Sequence, residues 1–212
     1  MTNVSPTRAL RSDAVRNRQL LLEAAAEAFA ERGIDASIDD IARRAGVGKG
    51  TVFRHFATKE ELLGALMIAM TEELIAACVR LREADDASLA LYEFMAFAIE
   101  ALRRQRAFCE VIGRPSLQQV AVRSGIEQLG REVELLTDRA RRQGGIRPDI
   151  IGEDIVLLLA GIHQTAAPLA SKQPHLWKRY LALTFDGIRS QTGQSLPLPT
   201  PKLGAHLIPT SP

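Results

Sequence analysis

The chain has 212 residues, of which 46% are hydrophobic and 25% charged, and its formal net charge is +2. This composition is ordinary for a globular protein and excludes a histone-like polycation, an acidic tail protein and a disordered polyampholyte. The two cysteines, Cys78 and Cys109, are far apart and form no Cys-x-x-Cys motif, which argues against a zinc module or a disulfide scaffold. No run reaches the roughly 18 apolar residues of a membrane span, and the N-terminus lacks the apolar segment of a signal peptide. We therefore expect a cytoplasmic protein with no membrane partner.

Almost every periodic segment has the helical period, as at Leu22, Ala25, Ala26 and Phe29. No alternating strand pattern and no Asn-Gly hairpin turn occurs, so the sequence predicts an all-α fold. About nine helices are expected, over residues 14–32, 37–45, 48–55, 58–82, 86–104, around 108–111, 116–143 (one or two helices), 153–169 and 174–191.

Helix boundaries in the first third of the chain carry capping signals. Gly33 is placed to end the first helix, and Ser37 is a natural N-cap of the second. Residues 58–61 read Thr-Lys-Glu-Glu, a capping box that opens the fourth helix.

Residues 37–56 read helix, tight turn, helix, which is the spacing of a DNA-binding helix-turn-helix. In the second of these helices Val52 and Phe56 are four residues apart and are predicted to face the core. The residues predicted to face outward are Lys49, Gly50, Thr51, Arg54 and His55. Glycine is unfavourable inside a helix, so its presence at position 50 suggests that a base edge must approach the backbone closely there.

The local charge supports phosphate binding, although the overall charge does not. From Arg43 to Lys59 there are five basic residues and no acidic one, and four arginines precede Leu22. A cationic patch of this kind is the electrostatic footprint of a nucleic-acid-binding face. The alternative is an amphipathic helical hairpin with a solvated basic surface.

Residues 41–62 resemble the DNA-binding domain of the tetracycline-repressor (TetR) family. The shared elements are Ile-Ala-x-x-Ala-Gly-Val at 41–47, Gly-Thr-Val-Phe-x-His-Phe at 50–56 and Thr-Lys-Glu-x-Leu at 58–62. With the first helix, the match covers residues 16–66. The resemblance implies a transcriptional regulator, most simply a repressor, that binds a palindromic double-stranded DNA operator as a homodimer.

The resemblance also implies roles for individual residues. Lys49 and Gly50 fall where the family reads base edges, with Arg54 beside them, and the other implied residues contact phosphates. The complete implied set is Ser37, Lys49, Gly50, Thr51, Arg54, His55 and Lys59. Phe53 stands where tyrosine is usual and is expected only to pack, and Asp39 replaces a basic or neutral residue, which argues against a phosphate contact there.

The remaining helices are expected to bind a small-molecule effector of unknown identity and to form the dimer. His163 and Gln164 interrupt an apolar helix, and buried polar groups need partners. With the resemblance, this suggests an effector pocket lined by Phe97, Leu102, Phe108, Cys109, His163 and Gln164. The resemblance also implies that the last two helices pair with those of a partner, and the residues expected to form that interface are Leu158, Leu159, Ile162, Tyr180, Leu183 and Thr184.

The chain is thus divided into four parts. They are a basic, disordered arm (1–13), a helix-turn-helix domain (14–64), a helical effector-binding and dimerisation domain (65–192) and a Pro-rich disordered tail (193–212). No P-loop, metal-ligand or nucleophile motif is complete, so we expect neither an enzyme nor a cofactor. The alternative function is a ligand-binding or protein-docking helical module without specific DNA binding.

Overall fold

The computed structural model describes residues 6–104 and 120–189 of the chain. Within these ranges the chain forms eight α-helices and no strand, which confirms the all-α prediction. The helices are α1 (Pro6–Arg32), α2 (Ile38–Arg44), α3 (Lys49–His55), α4 (Lys59–Leu81), α5 (Ala87–Arg104), α6 (Val120–Arg142), α7 (Gly152–Ala166) and α8 (Leu176–Ile188). An isolated β-bridge joins Ile146 to Arg189.

The described residues fall into two compact units. Among the described residues, the first comprises 6–67 and Arg104, and the second comprises 68–103 and 120–189. The division lies inside α4, a few residues beyond the predicted domain boundary at 64. One continuous helix therefore contributes residues to both units.

The first helix is longer than predicted. It begins at Pro6 instead of Ala14, so residues 6–13 are helical and do not form the expected disordered arm. Proline suits the first position of a helix, where its missing N–H has no helical acceptor. Apolar periodicity marks only the buried part of a helix, and residues from Arg16 to Leu20 are largely exposed. The pattern could therefore not show where the exposed part begins.

The first unit is built around one face of each of its helices. The fully buried side chains Leu21 and Phe29 of α1, Ile41 of α2, Val52 of α3 and Leu62 of α4 form its core. Each of them lies on the apolar stripe that the helical period predicts.

The predicted caps of this unit are present, with one difference in partner. Gly33 has the left-handed φ of 61° that favours glycine at a helix end. The Asp40 backbone N–H donates to Ser37 Oγ at 3.1 Å, and that of Glu61 donates to Thr58 Oγ1 at 3.1 Å. The Glu61 carboxylate accepts from the Ala57 N–H at 2.8 Å rather than from Thr58, so the box closes one residue earlier than expected.

The second unit packs α5 against its neighbours through one broad apolar face. Phe94 and Met95 are buried, and the rings of Tyr92 and Phe185 meet edge-on with centroids 5.1 Å apart. Leu89 is 52% exposed. Leu89 lies in the first turn of α5.

Helix α4 is long and apolar enough to cross a membrane by length and composition. Most of that stretch is buried inside the protein, as in the core helix of a soluble domain. It carries Cys78, whose thiol is fully enclosed, and burial raises the pKa of that thiol to about 12. The thiol is therefore protonated and unreactive at neutral pH.

Several predicted boundaries move by a few residues. The described part of the predicted helix 116–143 is a single helix, α6, and Pro168 lies in a 3-10 turn after α7. The last helix ends at Ile188, three residues before the predicted end. The helix predicted around 108–111 and the tail from 193 onward lie outside the described residues.

Two glycines give a paired test of the packing between α6 and α7. A Cβ at Gly152 would lie 2.8 Å from backbone atoms of Glu134, whereas a Cβ at Gly130 would meet no atom within 4 Å. We expect Gly152→Ala to lower the free energy of unfolding by about 1–3 kcal/mol, because neither backbone can move aside easily. Gly130→Ala should leave it unchanged or raise it by up to about 1 kcal/mol through helix propensity. Urea unfolding followed by circular dichroism measures both, and equal effects would contradict this account.

Candidate nucleic-acid interface

Helices α2 and α3 form the predicted helix-turn-helix. Gly46, with a φ of 66°, makes the turn between them. On α3, Val52 and Phe56 are buried as predicted, and Lys49, Gly50 and Arg54 are exposed. Thr51 and His55 are half-buried at the sides of this face. Because the buried residues fix the rotation of the helix, its opposite face is presented to solvent.

Gly50 lies in open space. A Cβ added there would meet nothing within 4 Å, so the fold of the protomer does not require glycine at this position. A glycine inside a helix costs up to about 1 kcal/mol relative to alanine. The absence of a side chain leaves the backbone of α3 open to close approach by another molecule.

Lys49 is paired with an acidic residue of α2. Its Nζ lies 3.0 Å from Asp39 Oδ1 and donates to Oδ2 at 3.1 Å, and both side chains remain more than half exposed. Arg54 donates to Thr51 Oγ1 at 3.1 Å and has no acidic partner within the described part of the chain. The exposed face of α3 thus carries one paired and one unpaired cation.

The arginines of α2 are engaged inside the unit. Arg44 pairs with Glu31 of α1, and Arg32 Nη1 and Arg43 both pair with Asp40, the former at 2.6 Å. A hydrogen bond from Ser37 and the two guanidinium charges lower the pKa of the Asp40 carboxyl. The basic stretch of the sequence is therefore largely neutralised by acids that lie outside it along the chain.

The ammonium of Lys59 is engaged within the first unit. Its Nζ donates to the Ile34 carbonyl and lies 5.7 Å from the centroid of the Phe29 ring. The lysine ties the start of α4 to the segment after α1, since a charged hydrogen bond and a cation–π contact act together. Lys59 is thus a structural residue of this unit, and a phosphate contact from it stays a prediction.

Ser37 is likewise occupied by its own helix. Its hydroxyl accepts from the Asp40 N–H and donates to Asp40 Oδ2 at 2.9 Å. It remains exposed at the start of α2, as the predicted phosphate contact requires.

Phe53 was missed by the sequence reasoning, which expected it only to pack. The side chain is 44% exposed and lies one turn from Lys49 on the outer face of α3. An exposed phenyl ring on a helix that enters the major groove can contact a thymine methyl group. Its position in the helical period, one residue after buried Val52, was the available signal.

The predicted effector residues of the second unit divide between interior and surface. His163 is buried, Phe97 and Leu102 are half-buried, and Gln164 is exposed. The prediction that Gln164 lines an interior pocket beside His163 is therefore wrong, because consecutive helical residues point about 100° apart. Phe108 and Cys109 lie outside the described residues.

Two buried ring nitrogens of the second unit lack hydrogen-bond partners among the described residues. They are Nδ1 of His163 and Nε1 of Trp177, a residue that the sequence reasoning did not select. The Arg103 guanidinium lies 5.8 Å from the centroid of the Trp177 ring. Burial, with the nearby Arg103 charge, lowers the pKa of His163.

Some of the residues predicted to form the dimer interface are exposed on the protomer, and others are buried inside it. Tyr180 and Leu183 are exposed on α8, and Leu158 and Thr184 are half-buried. Leu159 and Ile162 are buried within the protomer, so they cannot form the surface that was predicted from them. The run of apolar residues in α7 gives no alternation by which to separate its inner and outer faces.

Lys59 and Arg54 give a paired test of the structural role of Lys59. We expect Lys59→Ala to lower the free energy of unfolding by about 1–3 kcal/mol, because the Ile34 carbonyl and the Phe29 ring lose a cationic partner. Arg54→Ala removes an exposed cation and should change stability by less than about 0.5 kcal/mol. Thermal and urea unfolding compare the two, and a Lys59→Ala variant as stable as the wild type would refute the role.

Comparison with known proteins matches both units. The family model described as "Bacterial regulatory proteins, tetR family" matches residues 21–66. A second model, "Transcriptional regulator SbtR-like, C-terminal domain", matches residues 86–190. The two matches together cover most of the described chain.

Individual relatives agree with these matches. The HTH-type transcriptional repressor KstR2 of Mycobacterium tuberculosis is 31% identical over 81% of this chain and 92% of its own length. The TetR regulator SCO0520 from Streptomyces coelicolor superimposes with a TM-score of 0.66 at 29% identity, covering 82% of this chain and 99% of its own. A TetR regulatory protein from Mycobacterium vanbaalenii gives 0.64 at 30% identity, covering 85% and 99%.

The sequence motifs, the two helical units and these matches all indicate the same family. Members of the family are DNA-binding proteins that regulate transcription and are not enzymes. The chain belongs to the TetR family of bacterial transcriptional regulators.

Proposed function

We propose that the protein is a ligand-responsive repressor that binds a palindromic operator as a homodimer. The observation that carries the proposal is the outer face of α3, where Lys49, Gly50 and Phe53 are exposed while Val52 anchors the helix. Cationic, apolar and backbone groups on one helix face match the donors and contacts used in the major groove. The relative KstR2 is named a transcriptional repressor, which supports repression rather than activation.

The proposed dimer uses the outer faces of α7 and α8. Exposed residues recur there at helical spacing, with Leu157, Gly161 and Gln164 on α7, and Tyr180, Leu183 and Gly187 on α8. A Cβ at either glycine would meet nothing within 4 Å in the protomer. Glycines on an exposed helix face allow a second helix to approach closely. The exposed faces of α7 and α8 are therefore suited to pack against helices of a second protomer.

Twofold pairing would present two α3 helices to one duplex. Recognition helices that read successive major grooves lie about 34–36 Å apart, and the operator is then palindromic. Each phosphate contact should add about −0.9 to the slope of log affinity against log salt concentration.

The proposed effector binds in the second unit, near the unpaired nitrogens of His163 and Trp177. The indole N–H can only donate, so it calls for an acceptor on the ligand. Unpaired buried polar groups are costly, and an effector that pairs them would be favoured by that relief. The Arg103 guanidinium beside the Trp177 ring is paired with Glu100 at 3.0 Å and has further N–H donors that an electron-rich acceptor could use.

Effector binding would act on DNA through α4, which contributes residues to both units. An effector that favours a conformation in which the spacing of the two α3 helices no longer fits the operator lowers the affinity for DNA. A differential affinity of about 1–3 kcal/mol is typical of such coupling.

The Lys49→Ala variant tests the proposed DNA contact. We expect it to weaken binding to the DNA upstream of the protein's own gene by about 1–3 kcal/mol, with a smaller loss on random duplexes. Lys172→Ala, which removes an exposed lysine of the second unit, is the control and should bind like the wild type. Mobility-shift titrations at fixed salt measure all three proteins. Equal losses on both DNAs would refute base reading, and no shift of any duplex by the wild type would favour the docking-module alternative.

Two surface leucines test the proposed dimer. Leu183 on α8 and Leu89 on α5 are exposed to similar extents, 54% and 52%. We expect Leu183→Glu to give a monomer, because the carboxylate would be buried against a partner, while Leu89→Glu remains a dimer. Sedimentation velocity at micromolar concentration distinguishes the two, and a dimeric Leu183→Glu protein would place the interface elsewhere.

A further inference from the structure

Two adjacent aspartates at the start of α2 have different environments. The Asp40 side chain is only 14% exposed and is held by Ser37, Arg32 and Arg43. The Asp39 side chain is 67% exposed, and among the described cations Lys49 is its partner. Asp40 therefore serves the fold of the unit, whereas the Asp39 carboxylate stays at the surface beside the outer face of α3.

The Asp39–Lys49 pair presents one donor and one acceptor side by side. The ammonium has three N–H groups and the carboxylate accepts at several lone-pair positions. Both Asp39 oxygens lie within 3.1 Å of Lys49 Nζ, and both side chains are more than half exposed. Each partner has hydrogen-bonding positions that the other does not use. The pair has no net charge and is exposed, so it contributes little to stability or to the attraction of phosphates.

A G·C base pair offers the complementary pattern. In the major groove guanine presents the acceptors N7 and O6, and cytosine presents the donor N4–H₂ beside O6. We propose that Asp39 and Lys49 together read one G·C pair in each half-site, with Lys49 donating to guanine and Asp39 accepting from cytosine. The proposal rests on the proposed entry of α3 into the major groove and makes Asp39 a specificity-determining residue.

The carboxylate also accounts for the rejection of other base pairs. At an A·T pair the donor N6–H₂ of adenine replaces guanine O6, and the acceptor O4 of thymine replaces cytosine N4–H₂, so the ammonium keeps only one purine acceptor, N7. An Asp39 carboxylate held where it meets cytosine N4–H₂ would then face thymine O4, a second acceptor, and would be left without a donor. Asp39 thus lowers affinity for random DNA while preserving affinity for the matched pair.

The test is selection from a pool of duplexes with randomised half-sites, sequenced after binding at fixed salt. The proteins compared are the wild type, Asp39→Asn, Lys49→Ala and the control Asp35→Asn, which removes an exposed carboxylate from the same unit. Melting curves of each confirm that the variants are folded.

We expect the wild type to prefer G·C at one position of each half-site by roughly 5- to 150-fold, the value of a good base contact. Asp39→Asn should reduce that preference at the same position that Lys49→Ala relaxes and should admit A·T there, because the amide can accept from cytosine N4–H₂ or donate its NH₂ to thymine O4. Asp35→Asn should select the wild-type sequence.

Three results would overturn the inference. They are an unchanged preference in Asp39→Asn, effects of Asp39→Asn and Lys49→Ala at different positions, or equal effects of Asp39→Asn and Asp35→Asn. A wild-type protein that enriches no sequence would instead overturn the proposed function itself.

Discussion

A seven-residue helix is too short to persist in water alone, so α3 depends on what it buries. Val52 and Phe56 enter the core of the first unit, and the Arg18 guanidinium covers the Phe56 ring at 5.2 Å from its centroid. These contacts fix the rotation of α3 about its own axis. The proposed DNA-contacting side chains depend on that rotation. If the helix rotated by 100° about its axis, Val52 would become exposed and Phe53 would be buried.

The distribution of charges in the first unit also limits how strongly the surface of α3 can attract DNA. The basic run of the sequence suggests a strongly cationic patch, but Arg43 and Arg44 pair with acids, and Lys59 binds a carbonyl. The cations left at the surface of α3 are Lys49, beside Asp39, and Arg54. A surface with few free cations attracts all duplexes weakly, so discrimination must come from short-range donors and acceptors. The near-neutral overall charge of the chain agrees with this distribution.

Sequence reasoning located the helix-turn-helix because its signals are local. Ser37, Gly33 and the buried pair Val52 and Phe56 act within one or two turns, and each was predicted correctly.

The features that could not be predicted from the sequence depend on contacts between residues distant along the chain. The binding of Lys59 to Ile34 joins positions 25 residues apart, and the pairing of Asp39 with Lys49 crosses the turn between two helices. The division of α7 into inner and outer faces failed for Leu159 and Ile162 because an apolar run has no polar side to mark its exterior. Gln164 was assigned to the interior because it interrupts that apolar run beside His163.

Gly50 shows where the demands of folding and of recognition separate. Nothing in the protomer occupies the space of its missing side chain, so alanine there would suit the isolated fold better. A redesign of this chain guided by thermostability would choose that substitution among the first and would add a methyl group to the face of α3 that we propose enters the groove. Hyperstable versions of this regulator are therefore best engineered with position 50 held fixed, since the proposed DNA contact, and not the fold, calls for glycine there.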